Sequence, residues 1–253
     1  QLVEHIHDQA SFEGLRLGAL VDREFREFEI GEQASDQLCC HKIINQTLFW
    51  TRGHSIENYF FQEKYFLSYL KHHYPEHLNL SSLDLVRKYL PSILLWAAAL
   101  SISLFKAEVV MRSAGIAKLD LWVIHHDGRI ELDLAGIAQE LERRHAPIGT
   151  GERVTCLARK YVALFQASSP GELIQWINHG HLGFEWAWAG VGRVLQGCGV
   201  HESTLDQIAN GQNEQKIRKA ADTWANEIVE GTAVSPDALW AWVRSSSGAS
   251  APS

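Results

Sequence analysis

Apolar residues along the chain follow two rhythms. The first is a short continuous run. Leu17-Gly18-Ala19-Leu20-Val21 ends on Asp22, and Phe49-Trp50-Thr51 ends ahead of Gly53. Short apolar runs of this kind predict buried strands, and a strand buried on both faces belongs to a parallel sheet. Gly53 breaks the second run, and His54 or Ser55 opens a helix with Glu57 in its first turn. The second rhythm is helical. Tyr59, Phe60, Phe66, Leu67 and Leu70 recur at helical spacing and predict one helix over Glu57 to His73. Leu2, Val3 and Ile6 place a helix over Gln1 to Gln9. Arg23 to Glu32 reads as a charged loop. Ala34 to Ile44 reads as a short helix, or as a helix followed by a strand.

Leu83 to Met111 is the most apolar part of the chain, and Pro91 predicts a helix break or a helix start within it. The run from Leu90 to Phe105 falls short of the roughly 20 apolar residues a membrane span needs, so a buried core helix and no membrane are expected. Leu119 to Leu134 predicts a β-hairpin around Asp127-Gly128, with Ile130, Leu132 and Leu134 on one face. Helices follow over Ile137 to Arg144 and over Val154 to Gln166, the latter with Arg159 and Lys160 exposed. Ser169-Pro170-Gly171-Glu172 is a helix start, with a capping serine and a proline in the first turn. That helix runs to Ile177. Leu205 to Glu230 is helical, Ser235-Pro236 starts a last helix to Val243, and Ser245 to Ser253 has the composition of a disordered tail. The fold class is α/β: an α/β part over 1–75, a mainly helical domain with one hairpin over 76–244, and a tail over 245–253.

A length of 253 residues with 46% hydrophobic and 21% charged residues is ordinary for one large or two small globular domains. The net charge of −7 argues against broad, unaided nucleic-acid binding, which rests on clustered Lys and Arg. Lys216, Arg218 and Lys219 form one small basic cluster. Cys39, Cys40, Cys156 and Cys198 make no Cys-x-x-Cys pair, so a reducing, cytoplasmic setting without a disulfide framework is expected.

Candidate chemistry gathers at the strand ends, where open α/β sheets place their ligands. On an extended backbone Asp22 and Glu24 face one way and Arg23 the other. Two carboxylates on one face suit Mg²⁺ or Mn²⁺; the alternative is a strand end running into a solvated loop. Glu57 either caps its helix or turns back toward Asp22. His179 and His181 would share a face if they lay on a strand, as in some zinc sites, but no third ligand is near. His72, His73 and His77 read as a solvated helix end, and His125-His126-Asp127 as a polar hairpin tip. The pairs Trp186/Trp188 and Trp240/Trp242 suit base stacking or core packing, and with nine tryptophans the core is the default.

Val-Asp-Arg-acid-Phe at Val21 to Phe25, followed by Thr-x-x-His-Ser-Ile-Glu-Asn-Tyr at Thr51 to Tyr59, resembles the TOPRIM-like family known as domain of unknown function 4435. The likeness covers about the first 65 residues, with a weaker echo at Gly180-His181. That family is similar to the nuclease half of overcoming-lysogenization-defect proteins, and some members are encoded beside ABC-type ATPases in bacterial anti-phage defence. The resemblance implies a TOPRIM-like fold and an Mg²⁺- or Mn²⁺-dependent nuclease. Asp22, Glu24 and Glu57 would be the metal ligands, with His54 completing the catalytic set. The substrate would be nucleic acid, tRNA or DNA, and the partner an ABC-type ATPase, with an oligomer possible. Two departures bear on this. The glutamate that the family carries on an earlier strand has no counterpart, so the chain reads as a fragment lacking that strand. Glu24 stands where the family usually has Asp. Both departures favour an alternative, a non-catalytic module docking on the ATPase. A helical interaction protein with no site is the third reading.

Overall fold

The two expected strands form, and they pair in parallel. In a computed structural model, which describes residues 19–24, 28–30, 34–36, 43–45, 48–110, 115–144, 147–168, 171–210 and 213–230, β1 (Ala19–Val21) lies beside β5 (Leu48–Trp50), with Leu20 opposite Phe49. On the far side of β5 runs β4 (Ile43–Asn45), antiparallel, giving the order β1-β5-β4. Between them in sequence, β2 (Phe28–Ile30) and β3 (Ala34–Asp36) form a separate antiparallel pair. A strand therefore stands at Ala34 where a helix was expected, and another lies inside the expected charged loop. Three residues are too few for an apolar period to register, and cross-strand pairing decides such segments. The expected helices over Gln1 to Gln9 and Ser235 to Val243, the tail, Trp240, Trp242 and the pair Cys39-Cys40 lie outside the described residues.

The single helix expected from Glu57 to His73 is two. A 3-10 helix (Ile56–Phe60) ends at Phe61, and α1 (Glu63–His73) begins after an extended Gln62. Tyr59, Phe60 and Phe61 are all fully buried. All three rings enter the core from the 3-10 helix and its C-cap.

Helix α2 (Leu80–Lys106) runs unbroken through Pro91, where a break or a start was expected. Asn79 caps it, accepting from the Ser82 N–H at 2.8 Å. Proline in a helix interior costs about 3 kcal/mol, and burial of Leu90, Ile93, Trp96 and Ala97 to Leu100 outweighs that cost. By length and apolarity α2 would pass for a membrane span, yet 72% of its most apolar window is buried inside the protein. It is the core helix.

The hairpin forms as read, with β6 (Trp122–Ile124) antiparallel to β7 (Ile130–Leu132) and Gly128 at positive φ in the turn. At its tip His125 Nε2 meets Glu131 at 2.6 Å and Asp127 holds Arg129, so the tip is a polar turn. Asp133 caps α3 (Leu134–Arg143), accepting from Ala135 and Gly136 N–H. The next helices are α4 (Thr150–Ser168), α5 (Gly171–Ile177) and α6 (Gly180–Gln196). The expected Leu205 to Glu230 helix is divided at Asn210 into α7 (Glu202–Ala209) and α8 (Asn213–Val229). One apolar cluster runs from Tyr59 to Ala220. Trp186 and Trp188 belong to it, fully buried, which removes them as base-stacking platforms. Among the described residues the chain is thus mostly helical, with small sheets.

The expected basic cluster does not form as a surface. Arg218 is exposed, but Lys216 is fully buried. Its Nζ donates to the Ile208 carbonyl at 2.6 Å and lies 4.8 Å from the centre of the Trp188 ring. Burial pulls its pKa down to about 7. The unfolded chain keeps that proton up to about 10.5, so stability rises with pH between the two values. We expect wild type to gain about 2 kcal/mol between pH 7 and pH 9 relative to Lys216→Met, read from urea midpoints. Equal gains would show that the Lys216 charge is not disfavoured by the fold.

Candidate functional site

The site is built at the C-terminal ends of the parallel pair. Backbone pairing carries on past the strands, with the Thr51 N–H donating to the Val21 carbonyl at 2.9 Å. Thr51 Oγ1 then accepts from the Arg23 N–H at 3.0 Å and donates to the Gly53 carbonyl at 2.8 Å. One hydroxyl thus fixes both strand ends. Arg23 turns inward and is fully buried, its guanidinium donating to the Arg52 carbonyl at 2.9 Å. The expected opposition of Arg23 to the acids is therefore present.

Asp22 is exposed and directly follows β1. Its Oδ1 accepts from the Ile56 N–H at 3.0 Å, at the first residue of the 3-10 helix. Glu24, also exposed, is no longer on a strand. It sits at φ 57°, and its N–H donates to the His54 carbonyl at 2.6 Å. The two acids are thus set by a turn and not by strand alternation. Glu57 is buried in the 3-10 helix, and its Oε1 lies 2.9 Å from His181 Nδ1. Its other oxygen lies against Gly180, where an added Cβ would come within 2.6 Å of it. The first turn of α6 therefore offers Glu57 an imidazole and the positive end of a 17-residue helix.

His54 is buried, with its ring 4.4 Å from that of His179. Burial first, and then His179, brings its pKa down to about 3, so it is neutral across the physiological range. His179 is lowered as well, by its own burial, against the pull of Glu57 and Glu24. Asp22 moves the other way. Desolvation by the surrounding protein pushes its pKa up first, and Glu57 and Glu24 add to the rise, while the Ile56 N–H and His181 oppose it. Glu185 is also raised by burial, with His181 one helical turn before it opposing. Glu24 and Glu57 therefore both lie within electrostatic reach of Asp22. Among the described residues, however, no group of three or more His, Cys, Asp or Glu side chains is arranged to hold a metal ion.

Residues outside the predicted set hold this arrangement. Asn58 is fully buried. Its Oδ1 accepts from the Ser55 N–H at 2.7 Å, and its Nδ2 donates to the carbonyls of Gln175 at 2.7 Å and Asn178 at 2.9 Å. Gln175 Nε2 donates back to the Asn58 carbonyl at 2.9 Å, and the His54 N–H donates to the Trp176 carbonyl at 2.9 Å. Gly53 makes room for this clamp, since a Cβ there would lie 2.5 Å from Asn58 Cβ. The Asn178-to-His181 segment, read as a possible strand, is instead the entry to α6, with His179 as the capping residue. Its two imidazoles part accordingly, His179 toward His54 and His181 toward Glu57. His181 and Glu185, four apart on one helix, carried a signal the sequence offered. The Asn58 clamp carried none, because its partners lie about 120 residues away.

No protein-family model matches the chain, and no curated protein matches it either.

Two outcomes follow from this geometry. His54 has a folded pKa far below its ordinary value, so stability present above pH 6.5 is lost as pH falls toward 3. Between pH 7 and pH 5 wild type should lose about 2 kcal/mol more than His54→Gln in urea titrations; matching losses would refute burial of a neutral imidazole as the cause. Gly180→Ala places a methyl group against Ser55 and Glu57 and should cost roughly 1–3 kcal/mol. Unchanged thermal unfolding would mean that the α6 entry yields without cost.

Proposed function

We propose that this chain forms the site of an Mg²⁺- or Mn²⁺-dependent nuclease of TOPRIM type. The observation that carries the reading is Asp22. It stands at the end of a parallel strand, and its pKa is raised by desolvation first and then by neighbouring Glu57 and Glu24. Carboxylates that repel one another are relieved by a cation. Carboxylate oxygens are the donor type a hard divalent ion prefers, although among the described residues the three side chains are not arranged as a metal-holding group. Asp22 and Glu24 would hold the ion, with Glu57 joining or orienting them. When bound, such an ion polarises a phosphoryl oxygen and lowers the pKa of its water. His181 Nδ1 lies 2.9 Å from Glu57 Oε1, so ligation by Glu57 would require His181 to move aside. His54 is a positioning residue: its carbonyl fixes the Glu24 N–H, and its ring is kept neutral against His179. The resemblance supplies the rest of the proposal: tRNA or DNA as substrate, an ABC-type ATPase as partner, an anti-phage role and a cytoplasmic setting.

A second reading rests on a specific observation. Asp22 already accepts from Ile56, and Glu57 already meets His181. On that reading the acids are structural, and the chain is a TOPRIM-like scaffold docking on the ATPase.

The test is metal-dependent cleavage of tRNA and plasmid DNA by the full-length protein, alongside Mn²⁺ binding by calorimetry. Asp22→Asn keeps the shape and removes the charge, so it should abolish both cleavage and binding with an unchanged circular dichroism spectrum. Glu57→Gln should weaken both, and His54→Ala less so. Equal cleavage by wild type and Asp22→Asn would reject the metal site. Neither cleavage nor Mn²⁺ binding by wild type would put the scaffold reading first.

A further inference from the structure

A second concavity lies apart from the acids. Between α2 and α5 the chain encloses a half-open cavity of about 570 Å³, and none of Asp22, Glu24, Glu57 or His181 lines it. That volume lies in the roughly 300–1,000 Å³ range of small-molecule sites. Phe61, Leu90 and Trp176, all nearly fully buried, belong to its lining, together with the more accessible Leu94 and Ile174. Such a lining takes an apolar body.

The polar part of the lining is uneven. Glu63 reaches the cavity, but its carboxylate is already held by Arg87 at 2.7 Å. Arg52 is different. Its guanidinium lies 4.7 Å from the centre of the Trp176 ring. Its Nε is buried, and among the described residues it has no hydrogen-bond partner. A buried guanidinium donor without an acceptor is costly, and a planar fork of N–H groups is shaped for a carboxylate or phosphate.

We propose that this cavity binds a small amphipathic anion, a flat aromatic body carrying one carboxylate or phosphate. The anionic group takes the Arg52 guanidinium, and the ring lies against Leu94, Ile174 and the buried rings beneath. This site is independent of the metal reading. It nevertheless shares a wall with the acids, because Gln175 also holds Asn58 and the Trp176 carbonyl also holds the His54 N–H. A ligand there would be felt in the segment that carries the acids.

The probes are 2-naphthoate, 2-naphthyl phosphate and the neutral 2-naphthalenemethanol, titrated by calorimetry with thermal unfolding in parallel. Both anions should bind saturably and raise the unfolding temperature, and the alcohol should bind at least about tenfold more weakly, as expected for loss of a charge-assisted hydrogen bond. Arg52→Gln should erase the preference for the anions. Leu94→Trp should fill the cavity and block all three while leaving circular dichroism unchanged. No saturable binding to wild type would overturn the proposal, as would equal affinity for acid and alcohol, or undiminished binding to a folded Leu94→Trp. Should Arg52→Gln fail to fold, the acid–alcohol comparison and Leu94→Trp decide alone.

Discussion

A single buried amide holds the two halves of the candidate site together. Asn58 donates from its amide nitrogen to one carbonyl of α5 and one of the α5–α6 connection, and its oxygen accepts from Ser55. A buried amide left unsatisfied costs on the order of 1–3 kcal/mol, so a fully satisfied one is specific to one arrangement. Removing it would orphan the groups on both sides at once. The 3-10 helix, the entry to α6 and the His54 backbone therefore share one geometry, and none of the acids could keep its place if that geometry changed.

The charges near the clamp are distributed so that repulsion and compensation meet at one point. Glu24 and Glu57 bear on Asp22 from the acidic side, while His181 and the start of α6 bear on Glu57 from the other. Arg23, although adjacent in sequence, is spent inward on the Arg52 carbonyl and the strand ends. Burial keeps His54 neutral, so its ring adds no positive charge to the cleft.

Strong local signals in the sequence were legible, and signals needing a distant partner were not. The apolar run into Asp22, the Asp127-Gly128 hairpin and the helices from Ile137 to Ile177 each carry their own pattern and appear as expected. The helix expected at Ala34 failed because three-residue strands take their identity from neighbours. Pro91 misled because core burial overrides a local penalty. Lys216 misled because a lysine reads as surface until an aromatic wall closes over it. At the site, Asp22, Glu24 and Glu57 were singled out for their chemistry, and the structure brings Glu57 and Glu24 into electrostatic reach of Asp22. The turn at Glu24 replaces the expected alternation, since the strand stops at Val21. Asn58 and its partners could not be paired, because nothing local distinguishes an amide that will bridge about 120 residues from one that faces water.

That span has a consequence for the order in which the protein is made. Residues 51 to 58 leave the ribosome long before residues 175 to 181 exist. With Asn58 and Gln175 117 positions apart, synthesis at about 5–20 residues per second leaves a gap on the order of ten seconds. Through that interval Asn58 has no carbonyls to hold and Glu57 no imidazole. The acids therefore take their places only after the entry to α6 has been made. A nascent chain cut short before α6 carries every acid of the site but not the contacts that set their positions.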